Sequence, residues 1–136
     1  MSELATATGA RTAYDFAVLR VVPHPHLGTF VPVGVLVHAR RAGFLGLAAL
    51  TDEAALAARV PTVDVPLLAR YLAVLQRVAA GDASAGPIAL APTSERFHWL
   101  TAPRSDVLQA GPVHEGTCDG EPAHVLGRLF AEYVGR

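Results

Sequence analysis

The stretch Tyr14-Asp-Phe-Ala-Val-Leu-Arg-Val-Val22 decides how this chain folds, because it is apolar at almost every position. Such a strand lies inside a sheet with both of its faces covered. The stretch Phe30-Val-Pro-Val-Gly-Val-Leu-Val-His-Ala39 follows a proline-rich turn and places four valines on one face. A third apolar run, 44–50, follows another short turn. The three runs predict an antiparallel meander.

Two amphipathic segments further along the chain predict the main helices. The first has Asp64 as N-cap, Pro66 in its first turn and Gly81 as a stop signal. The second covers 121–134 and carries an apolar stripe made of Val125, Leu126, Leu129, Phe130 and Tyr133. Two more strands are expected at 96–101 and 107–114. The predicted fold class is α+β, a mostly antiparallel sheet of about five strands with two main helices packed on one face.

Length and composition predict a single domain. The chain has 136 residues, of which 51% are hydrophobic and 17% charged. This is enough to bury a core without disulfides or metal. We expect a flexible leader over 1–12 and one α+β domain over 13–136.

Charge and cysteine content exclude several classes of protein. The net charge is -1, whereas nonspecific nucleic-acid binding needs clustered positive charge. A single cysteine forms no internal disulfide, which favours a reducing cytoplasm. The N-terminus lacks the pattern of a signal peptide. The longest apolar run, 42–50, is about half of a membrane span. We therefore expect a cytoplasmic protein that contacts neither nucleic acid nor membrane.

Chemically useful side chains concentrate in the run 96–119, which holds the only Trp and the only Cys. In the strand expected at its start, Phe97 and Trp99 face the core, while Arg96 faces either solvent or a ligand. Arg104 and Ser105 lie in a turn. A loop arginine can bind a carboxylate or phosphate with two hydrogen bonds, although a nearby acid or a helix C-terminus would satisfy it equally well.

His114 and Cys118 are the candidates for catalysis, because they precede a helix N-terminus that favours an anion or a thiolate. They could form a nucleophile and base pair. Alternatively, Cys118 is a small buried apolar residue and the neighbouring polar residues cap the helix. No established catalytic motif occurs in the chain, which makes an enzyme the less favoured reading.

Arg20 interrupts the first apolar strand, and a buried guanidinium requires a partner. Asp15 cannot be that partner, because its odd offset from Arg20 places it on the other face. A different structural partner and a bound anion remain equal alternatives. His24 and His26, with His38 or His114, would make a metal site conceivable, but no established metal motif supports it, so we expect neither metal nor cofactor.

Two blocks of the sequence resemble an uncharacterised bacterial family classed as a domain of unknown function. The first comprises Tyr14-Asp-Phe-Ala-Val-Leu-Arg-Val-Val-Pro23 and Gly28-Thr-Phe-Val-Pro-Val-Gly-Val-Leu-Val37. The second comprises Arg96-Phe-His-Trp-Leu-Thr-Ala-Pro-Arg-Ser105 and Pro112-Val-His-Glu-Gly-Thr-Cys-Asp119. The residues that match include Arg20, Arg104, His114 and Cys118. Some members are encoded beside HipA-like kinases, so the resemblance implies an accessory or partner role.

Two hypotheses about function follow. The first is a nonenzymatic cytoplasmic accessory protein that binds a protein partner, with a HipA-like kinase as the partner that the resemblance implies. The alternative is a small-molecule enzyme or anion-binding domain. Its site would use Arg20, Arg96, Arg104, Ser105 and His114 for a small anionic ligand, with Cys118 as nucleophile.

Overall fold

The apolar strand at the start of the domain lies in the interior of the sheet. The computed structural model describes residues 11–23, 25–102 and 107–135. In these ranges five strands form one antiparallel sheet, ordered β3-β2-β1-β4, with β5 also paired to β1. The strands are β1 Thr12–Val21, β2 Val31–Ala39, β3 Phe44–Ala49, β4 Leu108–Ala110 and β5 His114–Cys118. The predicted α+β class and the antiparallel sheet are confirmed.

Four α-helices occur in the same ranges, and local capping explains where two of them begin. The helices are α1 Glu53–Arg59, α2 Val65–Ala80, α3 Thr93–Thr101 and α4 Pro122–Tyr133. The Asp52 carboxylate accepts a hydrogen bond from the Ala55 amide at 2.9 Å and caps α1. Asp64 caps α2 in the same way through Leu67 at 3.1 Å. Gly81, with φ of 77°, ends α2 in a left-handed conformation.

The helices cover both faces of the sheet. Helices α1, α2 and α3 contribute to one apolar core, and α4 contributes to a second core on the opposite face. We call these faces the α2 face and the α4 face. The prediction that both main helices pack on one face is therefore corrected. The reason lies in β2, where Leu36 points to the α2 face and Val35 and Val37 point to the α4 face, all three fully buried. Each face needs its own cover.

Helix α3 replaces the strand predicted at 96–101. A run of only six residues fits the hydrophobic period of a helix as well as that of a strand. The alternation of apolar and polar residues therefore does not decide between them. The buried residues are Phe97 and Leu100, which are three apart and share one helix face. Trp99 is 37% exposed, so the prediction that it lies in the core with Phe97 is wrong.

The strand predicted at 107–114 is split into β4 and β5 by a bulge. Leu19 pairs with Ala110 and Phe16 pairs with His114, so three residues of this edge lie opposite two residues of β1. The edge therefore contains one extra residue at 111–113, which is a bulge. Pairing with β1 resumes at His114 and continues to Cys118. Because paired residues share a face, His114 lies on the α4 face with Phe16.

Most of the expected leader lies outside the described residues. Arg11, near the C-terminal end of the expected leader, forms an ion pair with Asp119 at 3.4 Å and donates a hydrogen bond to the Thr117 hydroxyl. Thr12 begins β1. No helix within the described ranges is long and apolar enough to cross a membrane.

Candidate functional site

Two of the predicted site residues, Arg20 and His114, line one cavity of about 160 Å³ on the α4 face. We call it the Arg20 cavity. Its walls come from β1, β2, the bulge before β5 and the end of α4. The lining residues are Val18, Arg20, Phe30, Pro32, Gly111, Pro112, His114 and Tyr133.

Irregularities in the neighbouring strands make room for the Arg20 side chain. The β1–β2 register shifts by one residue, so that Leu19 pairs with Gly34 but Arg20 pairs with Pro32. On the other side, a Cβ at position 111 would lie 3.4 Å from Nη1 of Arg20, an ordinary van der Waals contact. Because Gly111 has no side chain, it leaves free space beside the guanidinium.

Arg20 contacts an aromatic ring but no carboxylate among the described residues. Its Cζ lies 4.3 Å from the centroid of the Phe30 ring, a cation–π contact. Its Nε is buried and has no hydrogen-bond partner among the described residues. Arg20 forms no ion pair with an acid among the described residues. Of the two sequence-based alternatives, a protein carboxylate is not seen in the described ranges.

The rim of the Arg20 cavity is apolar and exposed. The rings of Phe16 and His114 lie 5.1 Å apart, and those of Phe16 and Tyr133 lie 5.7 Å apart. Phe30 is 50% exposed, Val113 is 49% exposed and Tyr133 is 44% exposed. A cation surrounded by exposed rings suits a group that combines negative charge with apolar surface.

Arg96 lies apart from this cavity and holds the C-terminus of α2. Its Nε donates to the Ala91 carbonyl at 2.9 Å. Its Nη1 donates to the carbonyls of Val78 at 3.1 Å and Ala79 at 2.7 Å. These carbonyls belong to the last turn of α2, where a positive charge is favourable.

Cys118 and His114 do not meet. They occupy β5 four residues apart, which corresponds to about 13 Å along an extended strand. Cys118 pairs with Thr12 and packs against the core of the α4 face, and its thiol donates to the Gly120 carbonyl at 3.4 Å. A general base must lie within hydrogen-bond reach of its nucleophile. The geometry therefore gives no support to a pair formed by these two residues.

Several sequence-based candidates lie outside the described residues, namely Arg104, Ser105 and His24. In the part of the chain that is described, no group of three or more His, Cys, Asp or Glu side chains is arranged to hold a metal ion.

A second cleft, of about 580 Å³, is lined by polar side chains of β1, β2 and β5 that lie on the α2 face. Asp15 pairs with His38 on one side and with Glu115 on the other, so the three side chains form a row across β2, β1 and β5. Arg40 and Arg41, from the turn after β2, complete the lining with four neighbouring residues. We call this the Asp15 cleft.

Burial lowers the pKa of His38, which is 5% exposed and stacks on Phe97 with ring centroids 5.0 Å apart. Asp15 opposes this change in the pKa, while the charges of Arg40 and Arg96 add to it. Sequence reasoning did not identify the cleft as a site. The available signal was the placement of Asp15 and His38 in two strands that are otherwise apolar.

These features define a small α+β domain whose described residues line a cavity on the α4 face and a cleft with charged side chains on the α2 face. The model of the family DUF3037, described as a protein of unknown function, matches residues 16–134, and the chain belongs to this family. Comparison with curated proteins and with solved structures found no match. The predicted membership in an uncharacterised domain family is confirmed, while the association with HipA-like kinases stays a prediction.

Proposed function

We propose that this protein is a noncatalytic, cytoplasmic accessory domain that binds a protein partner through the Arg20 cavity. The partner inserts an oxyanion, a carboxylate or a phosphate, beside the Arg20 guanidinium and covers the apolar rim. The observation that carries this proposal is the buried Nε of Arg20, which has no partner among the described residues.

The energetics favour an external partner. A buried guanidinium nitrogen without a hydrogen bond is unfavourable, and a carboxylate or phosphate supplies bonds that match the planar geometry of the group. Phe30 and Tyr133 are aromatic, the residue type that contributes most to binding energy at interfaces. Half of the Phe30 surface remains exposed in the isolated chain. A partner that covers it adds apolar burial to the charge contact.

The family resemblance suggests a HipA-like kinase as the partner to test first. A HipA-like kinase is co-expressed with the chain, and the chain is purified over a series of salt concentrations. We expect a complex with the unchanged protein and with Arg70→Met, which alters an exposed arginine on α2. Arg20→Met is expected to weaken the complex by about tenfold or more, equivalent to about 1.4 kcal/mol.

Two results would contradict the proposal. One is a complex that Arg20→Met leaves unchanged, because the cavity would then be uninvolved. The other is a clean failure to associate at every salt concentration.

A free anion is the second candidate ligand, and the same unpaired guanidinium favours it. Inorganic phosphate and acetate serve as probes in titrations of the isolated chain. Binding of a probe that Arg20→Met abolishes, without any complex with the kinase, would assign the cavity to a small anionic ligand. Cys118 lies outside the cavity lining, so we propose no thiol chemistry here.

A further inference from the structure

The Asp15 cleft carries charges of both signs that do not neutralise one another. Asp15 and Glu115 line it together with Arg40 and Arg41. Among the described residues, no ion pair or side-chain hydrogen bond joins these four side chains to each other. Because these opposite charges line one cleft without pairing, the carboxylates and the guanidinium groups are both available to a ligand.

The acidic end is built by strand register. Glu115 lies directly opposite Asp15, on adjacent strands that are about 4.8 Å apart. Two negative charges in this position repel each other. A ligand ammonium group placed between them would replace repulsion with two charge-assisted hydrogen bonds.

The basic end is built by the turn that follows β2. Arg40 and Arg41 lie in a single 3₁₀ turn, Arg40–Ala42, which ends at Gly43 with φ of 65°. The left-handed conformation at Gly43 is one that other residues rarely adopt, so the turn is well defined. It places two guanidinium groups near the end of the strand that carries His38, and such groups bind a carboxylate.

His38, which lines the cleft, carries a buried polar atom. Nε2 of His38 is buried and has no hydrogen-bond partner within the described ranges. His38 is 5% exposed and lines the cleft, and Phe97 stacks against it. Buried polar nitrogens in proteins are nearly always hydrogen-bonded, so this one indicates a partner outside the described protein atoms.

We propose that the Asp15 cleft binds a zwitterionic ligand of amino-acid to dipeptide size. Its ammonium group lies between Asp15 and Glu115, its carboxylate lies on Arg40 and Arg41, and a polar group between them bonds to His38. The volume of about 580 Å³ is within the range of small-molecule sites. The cleft is on the opposite face from the Arg20 cavity, so this inference stands independently of the proposed function.

Binding is tested by calorimetric titration of the full chain with the common L-amino acids and with glycylglycine. Each probe is paired with its N-acetylated and its C-amidated form. We expect at least one zwitterion to bind with Kd below about 1 mM, and both blocked forms to bind about tenfold more weakly. If no zwitterion binds at about 10 mM, or if blocking either end has no effect, the proposal is overturned.

Variants locate the binding. Glu115→Gln and Arg40→Gln are each expected to weaken the best probe by about tenfold. Glu132→Gln and Arg70→Gln are the matched controls, since they change the same side-chain types at exposed positions away from the cleft. Arg20→Met is expected to leave this affinity unchanged. Equal affinity in the cleft variants and the controls would overturn the proposal even though a ligand binds.

Discussion

The ring of Tyr14 lies directly over Gly116, its partner on the neighbouring strand. A Cβ at position 116 would be 2.6 Å from both Cζ and Oη of that ring, a distance that real Cβ atoms do not show. Tyr14 belongs to the core of the α4 face, so its ring cannot move without disturbing that core. Glycine at this position therefore allows the edge strand to pack against β1.

Gly116→Ala is accordingly expected to lower the free energy of unfolding by about 1–3 kcal/mol, because it overpacks a filled space. Chemical denaturation measures the change. Gly120→Ala is the control, since a Cβ there meets no atom within 4 Å. Equal stability of the two variants would show that the Tyr14 ring is not held over the strand.

Arg96 is expected to contribute to stability through the end of α2. Arg96→Met removes the hydrogen bonds to Val78, Ala79 and Ala91, and should cost about 2 kcal/mol in the free energy of unfolding. Arg96→Lys keeps the charge but cannot donate to all three carbonyls at once. Its free energy of unfolding should therefore lie between those of Arg96→Met and the unchanged protein. A melting temperature of Arg96→Met equal to that of the control Arg70→Met would contradict this role.

The first three strands and α2 could be predicted because their signals are local. The valines of β2 alternate, and Asp64 and Gly81 occupy the ends of α2 as capping rules require. Residues 96–101 could not be assigned in this way. Their helix is supported by the contact of Arg96 with a different helix and by burial of Phe97 against the sheet, and neither is visible in six residues.

In the candidate sites too, local features could be predicted and contacts between distant residues could not. That Arg20 needed a partner followed from its place in an apolar strand. That its neighbour would be His114 depended on a bulge at 111–113, which shifts the pairing by one residue. The Asp15 cleft depends on pairing between three strands, one of which is far away in sequence.

The buried His38 predicts a pH-dependent stability. Because burial lowers the pKa of His38, the folded state resists protonation while the unfolded state takes up a proton below about pH 6.5. The stability that neutral His38 provides is therefore complete above that pH and is lost as the pH falls through the lower pKa of the folded state. His38→Phe should flatten the dependence of unfolding free energy on pH below about pH 6.5.

The exposed His124→Gln serves as the comparison for that measurement. It should keep the pH dependence of the unchanged protein. If His38→Phe and His124→Gln give parallel curves, His38 does not control this part of the profile.

The repulsion between Asp15 and Glu115 predicts that Glu115 lowers the stability of the ligand-free protein. Glu115→Gln should raise the free energy of unfolding of the ligand-free protein by about 0.5 kcal/mol, because it removes one of two like charges on paired positions. Raising the salt concentration should reduce the difference from the unchanged protein. Glu132→Gln, which breaks an exposed pair with Arg128, should give no such gain. A loss of stability in Glu115→Gln would show that Glu115 is favourably paired.

The central claim is that Arg20, whose buried Nε has no hydrogen-bond partner among the described residues, receives an oxyanion from a protein partner. The most direct measurement is the Nε–H resonance of Arg20, assigned by its absence in Arg20→Met and followed by NMR while the HipA-like kinase is added. The account predicts that this resonance moves downfield on saturation, as a new hydrogen bond forms, and that signals of Phe30 and His114 move with it. A saturated complex in which the Arg20 resonance stays in place would contradict the account.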